Sequence, residues 1–318
     1  MTSLPAFHDT ARPLIVTGAP RSGTTFLTVA MNQHPQILLT NELRPWSFVN
    51  NVRLRLQQPS ELLPEHPLRQ DFRKVLVHAM LDTVDSFYRT RVPRTGLGYV
   101  DGKKASVDPA IRAYGDKNPS YADAKEKWCA GMIAAYWKGS RFVHIHRDPR
   151  SCVASYKAVE VYSDEITRGA DIWNRHLKTM HKLGAQLGPD RLLNVRYEEL
   201  VSEDGPEVFA RIEAFLGLDH AAEPAAFLKR EMRSRTPYRA PTTPEPMLGQ
   251  TRFSERLSAE EIGYVEHTCR DMMEAFGYAP VHTPKKARLM AQSVEAAIAE
   301  AATKARRATR KKQKRAAQ

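Results

Sequence analysis

The chain has 318 residues, 42% of them hydrophobic and 26% charged, the balance of an ordinary globule with length for one large or two small domains. No apolar run approaches membrane-spanning length, and the opening MTSLPAFHDTARP lacks the basic flank and apolar core of a secretory signal. Of the formal net charge of +12, a share of +9 (eleven Lys and Arg against two Glu) falls from Lys285 onward, so the basic character belongs to a tail and is weak evidence about the folded part.

Residues 1–13 read as a flexible leader ending in Pro13. Leu14-Ile15-Val16 is long enough for a buried strand, Gly18 to Gly23 is a turn, and Thr24 to Gln33 is helical with Phe26, Leu27, Ala30 and Met31 on one face. Ile37-Leu38-Leu39 is a second short strand. A polar loop near residues 57–67 precedes a helix from about Asp71 to Arg89, and Pro93 to Asp108, with three glycines, reads as loop. A helix is expected from Ser120 toward Tyr136 and a strand at Phe142 to Ile145. Pro149 suits the first turn of the helix after it. Further helices are expected at about Ser163 to Leu187 and at Pro206 to Gly217, with a strand at Arg191 to Val195 between them. Four prolines between Glu231 and Arg252 forbid long regular structure there. Ser258 opens a capping box with Glu261, and its helix is expected to run to Gly277. The tail, residues 283–318, is expected to be helical around Met290 to Ala302 and disordered beyond. Strands alternating with helices predict an α/β fold, a single domain over residues 14–282 with a mainly parallel central sheet flanked by helices.

The stretch Leu14 to Leu27, LIVTGAPRSGTTFL, carries the first chemical signal. Strand, Gly-containing turn and helix form a phosphate cradle, in which turn N–H groups and a helix N-terminus converge on an anion. The spacing from Gly18 to Gly23 is that of a P-loop, but Thr24 stands where a nucleotide-triphosphate loop has its Lys, and the positive charge has moved to Arg21. Such a cradle suits a single phosphate beside a leaving group that a cation must neutralise. The pattern P-R-S-G-T-T resembles the 5′-phosphosulfate loop of sulfotransferases that use 3′-phosphoadenosine-5′-phosphosulfate (PAPS), whose fold is P-loop-like. The resemblance gives Arg21, Ser22, Gly23, Thr24 and Thr25 to the cofactor.

Arg147 and Ser155, in R-D-x-R-x-x-x-x-S after a strand, resemble the 3′-phosphate site of the same family. Arg donates two parallel hydrogen bonds to phosphate. Sulfuryl transfer to a hydroxyl also needs a base for the acceptor proton and positive charge on the leaving phosphate. His34-Pro35 followed by Asn41-Glu42-Leu43-Arg44 resembles the tyrosylprotein-type and bacterial branch, which implies Glu42 as base and Arg44 as a substrate-binding residue. A Glu base works best near neutral pH when partial burial raises its pKa. Asp116-Lys117-Asn118-Pro119 resembles that branch's Lys motif, so Lys117 would join Arg21 on the leaving group; Pro119 stands where phenol and steroid sulfotransferases have a His. Arg196-Tyr197-Glu198-Glu199-Leu200 resembles a family segment whose Tyr lies near the adenine. A basic loop closing over the cofactor would fall within residues 230–256, near Arg252.

The expectation is therefore a PAPS-dependent sulfotransferase that releases 3′-phosphoadenosine-5′-phosphate (PAP) and requires no metal. Its acceptor is left open among carbohydrate, small metabolite, lipid and tyrosine. Three cysteines, odd in number and far apart, suggest neither a disulfide framework nor a zinc site and point to a reducing, cytoplasmic setting. His144 and His146 read as one face of a strand rather than as ligands. The alternatives are a P-loop nucleotide kinase or nucleotidase, and a binder of nucleic acid or acidic partners acting through the basic tail.

Overall fold

The computed structural model describes residues 6–57, 69–92, 110–123, 129–157, 166–233 and 253–316. The loops expected near residues 57–67, at Pro93 to Asp108 and at Glu231 to Arg252 fall wholly or largely outside these, the last apart from Glu231 to Arg233, which are helical.

Five strands form one sheet: β1 (Phe7–Thr17), β2 (Ile37–Asn41), β3 (Ile111–Lys117), β4 (Arg141–His146) and β5 (Leu192–Arg196). Their order is β2-β3-β1-β4-β5, and every pairing is parallel. The short apolar runs at Leu14-Ile15-Val16, Ile37-Leu38-Leu39 and Phe142 to Ile145 are the buried centres of β1, β2 and β4, as a sheet covered on both faces requires, whereas β3 was not read as a strand. Side-chain alternation along them divides the core. Ile15, Leu38, Tyr114 and Phe142 pack on one face, while Leu14, Val16, Leu39, Val143 and Ile145 pack on the other.

The chain separates into two compact units, residues 1–147 with 175–249, and residues 148–174 with 250–318. The first unit holds the sheet. On the Ile15 face lie α2 (Pro45–Arg55), α3 (Arg69–Arg91), α4 (Cys129–Tyr136) and the C-terminal half of α6 (Ile166–Leu187). On the Val16 face lie α1 (Thr24–Asn32), α7 (Tyr197–Leu200), α8 (Gly205–Leu216) and α9 (Ala222–Arg233). The chain thus leaves β1 toward one face, whereas the connections from its neighbours β3 and β4 return over the other. A crevice at the carboxyl end of β1 follows from that switch, and ligands of open α/β sheets bind in such crevices.

The second unit contains α5 (Pro149–Lys157), the start of α6, α10 (Ala259–Thr268), α11 (Arg270–Ala275) and α12 (Pro284–Ala316). Its centre is a buried ion pair, Arg150 to Glu266 at 2.7 Å, with Asp148 holding the same guanidinium at 2.6 Å. The Ser258–Glu261 capping box forms with both of its hydrogen bonds.

Several elements differ from the sequence reading; the helix expected from Ser120 toward Tyr136, for one, is a short helical turn at Pro119–Ala122, ended by an extended Asp123, and the separate α4. Residues 7–13, read as leader, are strand, and β1 slips register against β3 between Phe7 and Arg12. The helix opened by Ser258 stops at Cys269, whose backbone (φ −99°, ψ 4°) leaves the helical region, so α10 and α11 are separate. Helix α12 continues past Ala302 to Ala316, and from Glu295 onward every residue whose side chain is described is exposed.

Candidate active site

Each strand of the sheet delivers one sequence-selected residue to its carboxyl end. The turn 18–23 follows β1, Glu42 follows β2, Lys117 ends β3, Arg147 follows β4 and Tyr197 follows β5.

The turn after β1 is closed by the Ser22 amide donating to the Ala19 carbonyl at 3.1 Å, and Gly23 then caps α1. Gly23 has φ of 90°, and a Cβ there would lie 2.3 Å from the Tyr197 ring. Only glycine meets both conditions without strain. Gly18 is equally constrained, because a Cβ would lie 2.2 Å from the Ile145 carbonyl oxygen of β4. The first turn of α1 carries no acidic residue, so its N–H groups and positive dipole end are left for an anion. Ser22 and Thr24 are buried at this end, and Arg21 and Thr25 are half-buried.

Lys117 joins two of these segments. Its ammonium donates to Thr25 Oγ1 at 3.0 Å and to Glu42 Oε1 at 2.8 Å. The Lys117 side chain is 1% exposed and that of Glu42 is 42% exposed. The burial expected to tune the Glu42 carboxyl therefore falls on its partner. Burial pushes the Lys117 ammonium below the ordinary lysine range, and the Glu42 carboxylate partly offsets this.

The turn carrying Glu42 and Arg44 is held from below. Asp116, fully buried, accepts from the Leu43 and Arg44 amides at 3.1 Å each, from Thr40 Oγ1 at 2.6 Å and from the Tyr121 hydroxyl at 2.7 Å. Desolvation raises the Asp116 pKa against these hydrogen bonds, which lower it. Arg21, Glu42 and Arg44 have φ of 65°, 57° and 60°, and they are the described non-glycine residues with positive φ. Such conformations cost on the order of 1–3 kcal/mol each and concentrate at functional sites.

Arg147 also lies in the first unit. Arg147 Nη1 donates to the Arg21 carbonyl at 3.4 Å, and its guanidinium carbon stacks 4.4 Å from the Tyr197 ring centroid. Arg147, Tyr197 and the cradle therefore meet at one end of the sheet. Ser155, half-buried on α5, belongs to the second unit. His144 and His146 lie on one face of β4, their ring centroids 6.0 Å apart. Both are buried and held neutral, with desolvation lowering their pKa values to about 4 and about 3.

Sequence reasoning missed Asp116 although it lies inside a motif already selected for Lys117. The available signal was a carboxylate beside Lys117 in a strand, which alternation sends to the opposite face.

A model described as the sulfotransferase family matches residues 13–222, about two thirds of the chain. Among solved structures, the sulfotransferase domain of an olefin synthase from Synechococcus PCC 7002 is 18% identical, covering 93% of this chain and 98% of that one at a TM-score of 0.45. A sulfotransferase from Mycobacterium avium is 17% identical over 86% of this chain and 78% of that one, with a TM-score of 0.43. A mouse sulfotransferase, solved in complex with PAP, is 14% identical over 91% of each chain, with a TM-score of 0.45.

Proposed function

The chain belongs to the sulfotransferase family, and from that premise we propose that it transfers a sulfuryl group from PAPS to a hydroxyl of a carbohydrate, small metabolite, lipid or tyrosine. The observation that carries this reading is the Lys117 ammonium bridging Thr25 of the cradle and Glu42 of the neighbouring strand end.

The residues present fit the cofactor: a Cβ-free Gly23 at the N-terminus of α1, whose first turn carries no acidic residue, a buried lysine, and two arginines. Bound PAPS supplies a sulfuryl group activated by a phosphate leaving group. Arg21, Ser22, Gly23, Thr24 and Thr25 would hold the 5′ end, Arg147 and Ser155 would take the 3′-phosphate, and Tyr197 would lie against the adenine. Glu42 accepts the acceptor hydroxyl's proton as that oxygen bonds to sulfur. Lys117 and Arg21 would stabilise the charge that departure of the sulfuryl group leaves on the phosphate oxygen. Arg44 orients the acceptor. Glu42 and the proline at 119 favour the tyrosylprotein-type and bacterial branch. Three buried thiols agree with a cytoplasmic setting, and no described helix is long and apolar enough to cross a membrane.

The test is an acceptor screen with radiolabelled PAPS over those four classes, run on the wild type and on Glu42→Gln. The wild type is expected to label one class. The variant should bind PAP as the wild type does and lose about 100-fold or more in turnover, the usual worth of a positioned base. Wild-type turnover in Glu42→Gln would remove Glu42 from the mechanism.

A further inference from the structure

We infer that Asp116 is the positioning residue of this site, holding Glu42 and Arg44 in the backbone geometry that aims them. The inference rests on the reading of Glu42 as base.

The turn after β2 is one the chain does not adopt unaided. Glu42 and Arg44 are both left-handed, with φ of 57° and 60°, and neither is a glycine. Left-handed backbone brings a side chain's Cβ against its own carbonyl, so such a turn relaxes unless its amides are held. Here all three amides are held by the last two residues of β3. The Glu42 N–H donates to the Lys117 carbonyl at 2.8 Å. The Leu43 N–H donates to Asp116 Oδ1 and the Arg44 N–H to Asp116 Oδ2, so one carboxylate spans two successive amides. Pro45, with its fixed φ, then begins α2.

Asp116 is itself fixed. Thr40 Oγ1 donates to Oδ1 and the Tyr121 hydroxyl to Oδ2, so each oxygen accepts two hydrogen bonds. Thr40 further contacts the Tyr88 hydroxyl at 2.7 Å, and Tyr88 stacks on buried Trp46 of α2. Adjacent in β3, Asp116 and Lys117 project to opposite faces. Lys117 holds the Glu42 carboxylate while Asp116 holds the backbone that presents it. This is a division between orienting the turn and pairing with its charge. The carboxylate is well suited to its task because two N–H donors need two acceptor oxygens, and an asparagine offers only one.

The experiment compares the full-length wild type with Asp116→Asn, Thr40→Val and Tyr121→Phe. Hydrogen–deuterium exchange is followed on the peptide around residues 40–47, PAP affinity by calorimetry, and turnover of labelled PAPS with the acceptor the screen identifies. In Asp116→Asn the Leu43 or Arg44 amide should exchange about tenfold faster or more, as one charge-assisted hydrogen bond is lost. Turnover should fall by a similar factor while PAP affinity stays within about threefold, since the cradle makes no use of that bond. Thr40→Val and Tyr121→Phe should show smaller changes in the same order, and they carry the test if Asp116→Asn does not fold. Unchanged exchange and turnover in the folded variants would overturn the inference, as would turnover and PAP affinity falling together. A wild type that moves no label from PAPS would defeat the proposed function instead, and the exchange measurement would still decide whether Asp116 holds the turn.

Discussion

A buried lysine is rarely placed for stability, and Lys117 is 1% exposed. Its folded-state pKa lies below the ordinary lysine value, so at neutral pH the folded protein holds this proton less readily than the unfolded chain does. The burial of the charge therefore opposes folding at pH 7, and the opposition fades only as pH rises toward 10. Its partner Glu42 is exposed and can be hydrated alone, and Asp116, the buried carboxylate that also interacts with the ammonium, keeps its four hydrogen bonds when the ammonium is deleted. Lys117→Met is accordingly expected to melt no lower than the wild type, rising about 2–4 °C for each kcal/mol recovered, while labelled-sulfate transfer is lost. A clear fall in Tm would show that Lys117 serves the fold. At this scale the residue types of the site were legible, because Arg21, Glu42 and Lys117 sit at motif spacings. Their backbone was not. Positive φ at Glu42 and Arg44 is held by hydrogen bonds from β3, far away in sequence, and residue identity does not encode it.

At the scale of elements, strands with continuous apolar runs were legible and irregular ones were not. The segment Phe7-His8-Asp9-Thr10 has no run to betray a strand, and it joins β1 only because β3 offers an edge beside it. Helix α2 was missed because its eleven residues hold two Asn and two Arg around Pro45, and it is fixed instead by Trp46 packing on Tyr88, Tyr121 and Trp137. Strand β4 makes its own prediction. His144 and His146 titrate near 4 and 3 when folded, against 6.5 when unfolded. The unfolded chain thus binds more protons below that value, and the stability these histidines contribute is complete above about pH 6.5. It should decline by about 1.4 kcal/mol per pH unit for each histidine as pH falls from 6.5 toward 4. Thermal unfolding between pH 7.5 and 5 checks this, and a flat Tm from pH 6.5 to 5 would contradict it. Replacing both with Gln should flatten the slope.

For the whole molecule, charge and chemistry separate along the chain. The sheet unit collects the candidate residues except Ser155, while eight cations with no acidic residue occupy 304–315 in α12. Beyond Ile298 the sequence has no aromatic or large aliphatic residue, so any binding by this stretch would be carried by its charge. A chain ending at Ala302 should lose salt-sensitive binding to duplex DNA and keep sulfuryl transfer; equal DNA binding by both chains would remove the tail's role. In the proposed function, two arginine-bearing turns hold opposite ends of one doubly phosphorylated adenosine. Calorimetry tests it most directly, titrating PAP, and separately ATP with Mg²⁺, into the wild type, Arg21→Ala and Arg147→Ala. PAP should bind the wild type more tightly than ATP with Mg²⁺, and each substitution should weaken PAP by about tenfold or more, the loss of a charged hydrogen bond. No heat with PAP, or a preference for ATP with Mg²⁺, would contradict it.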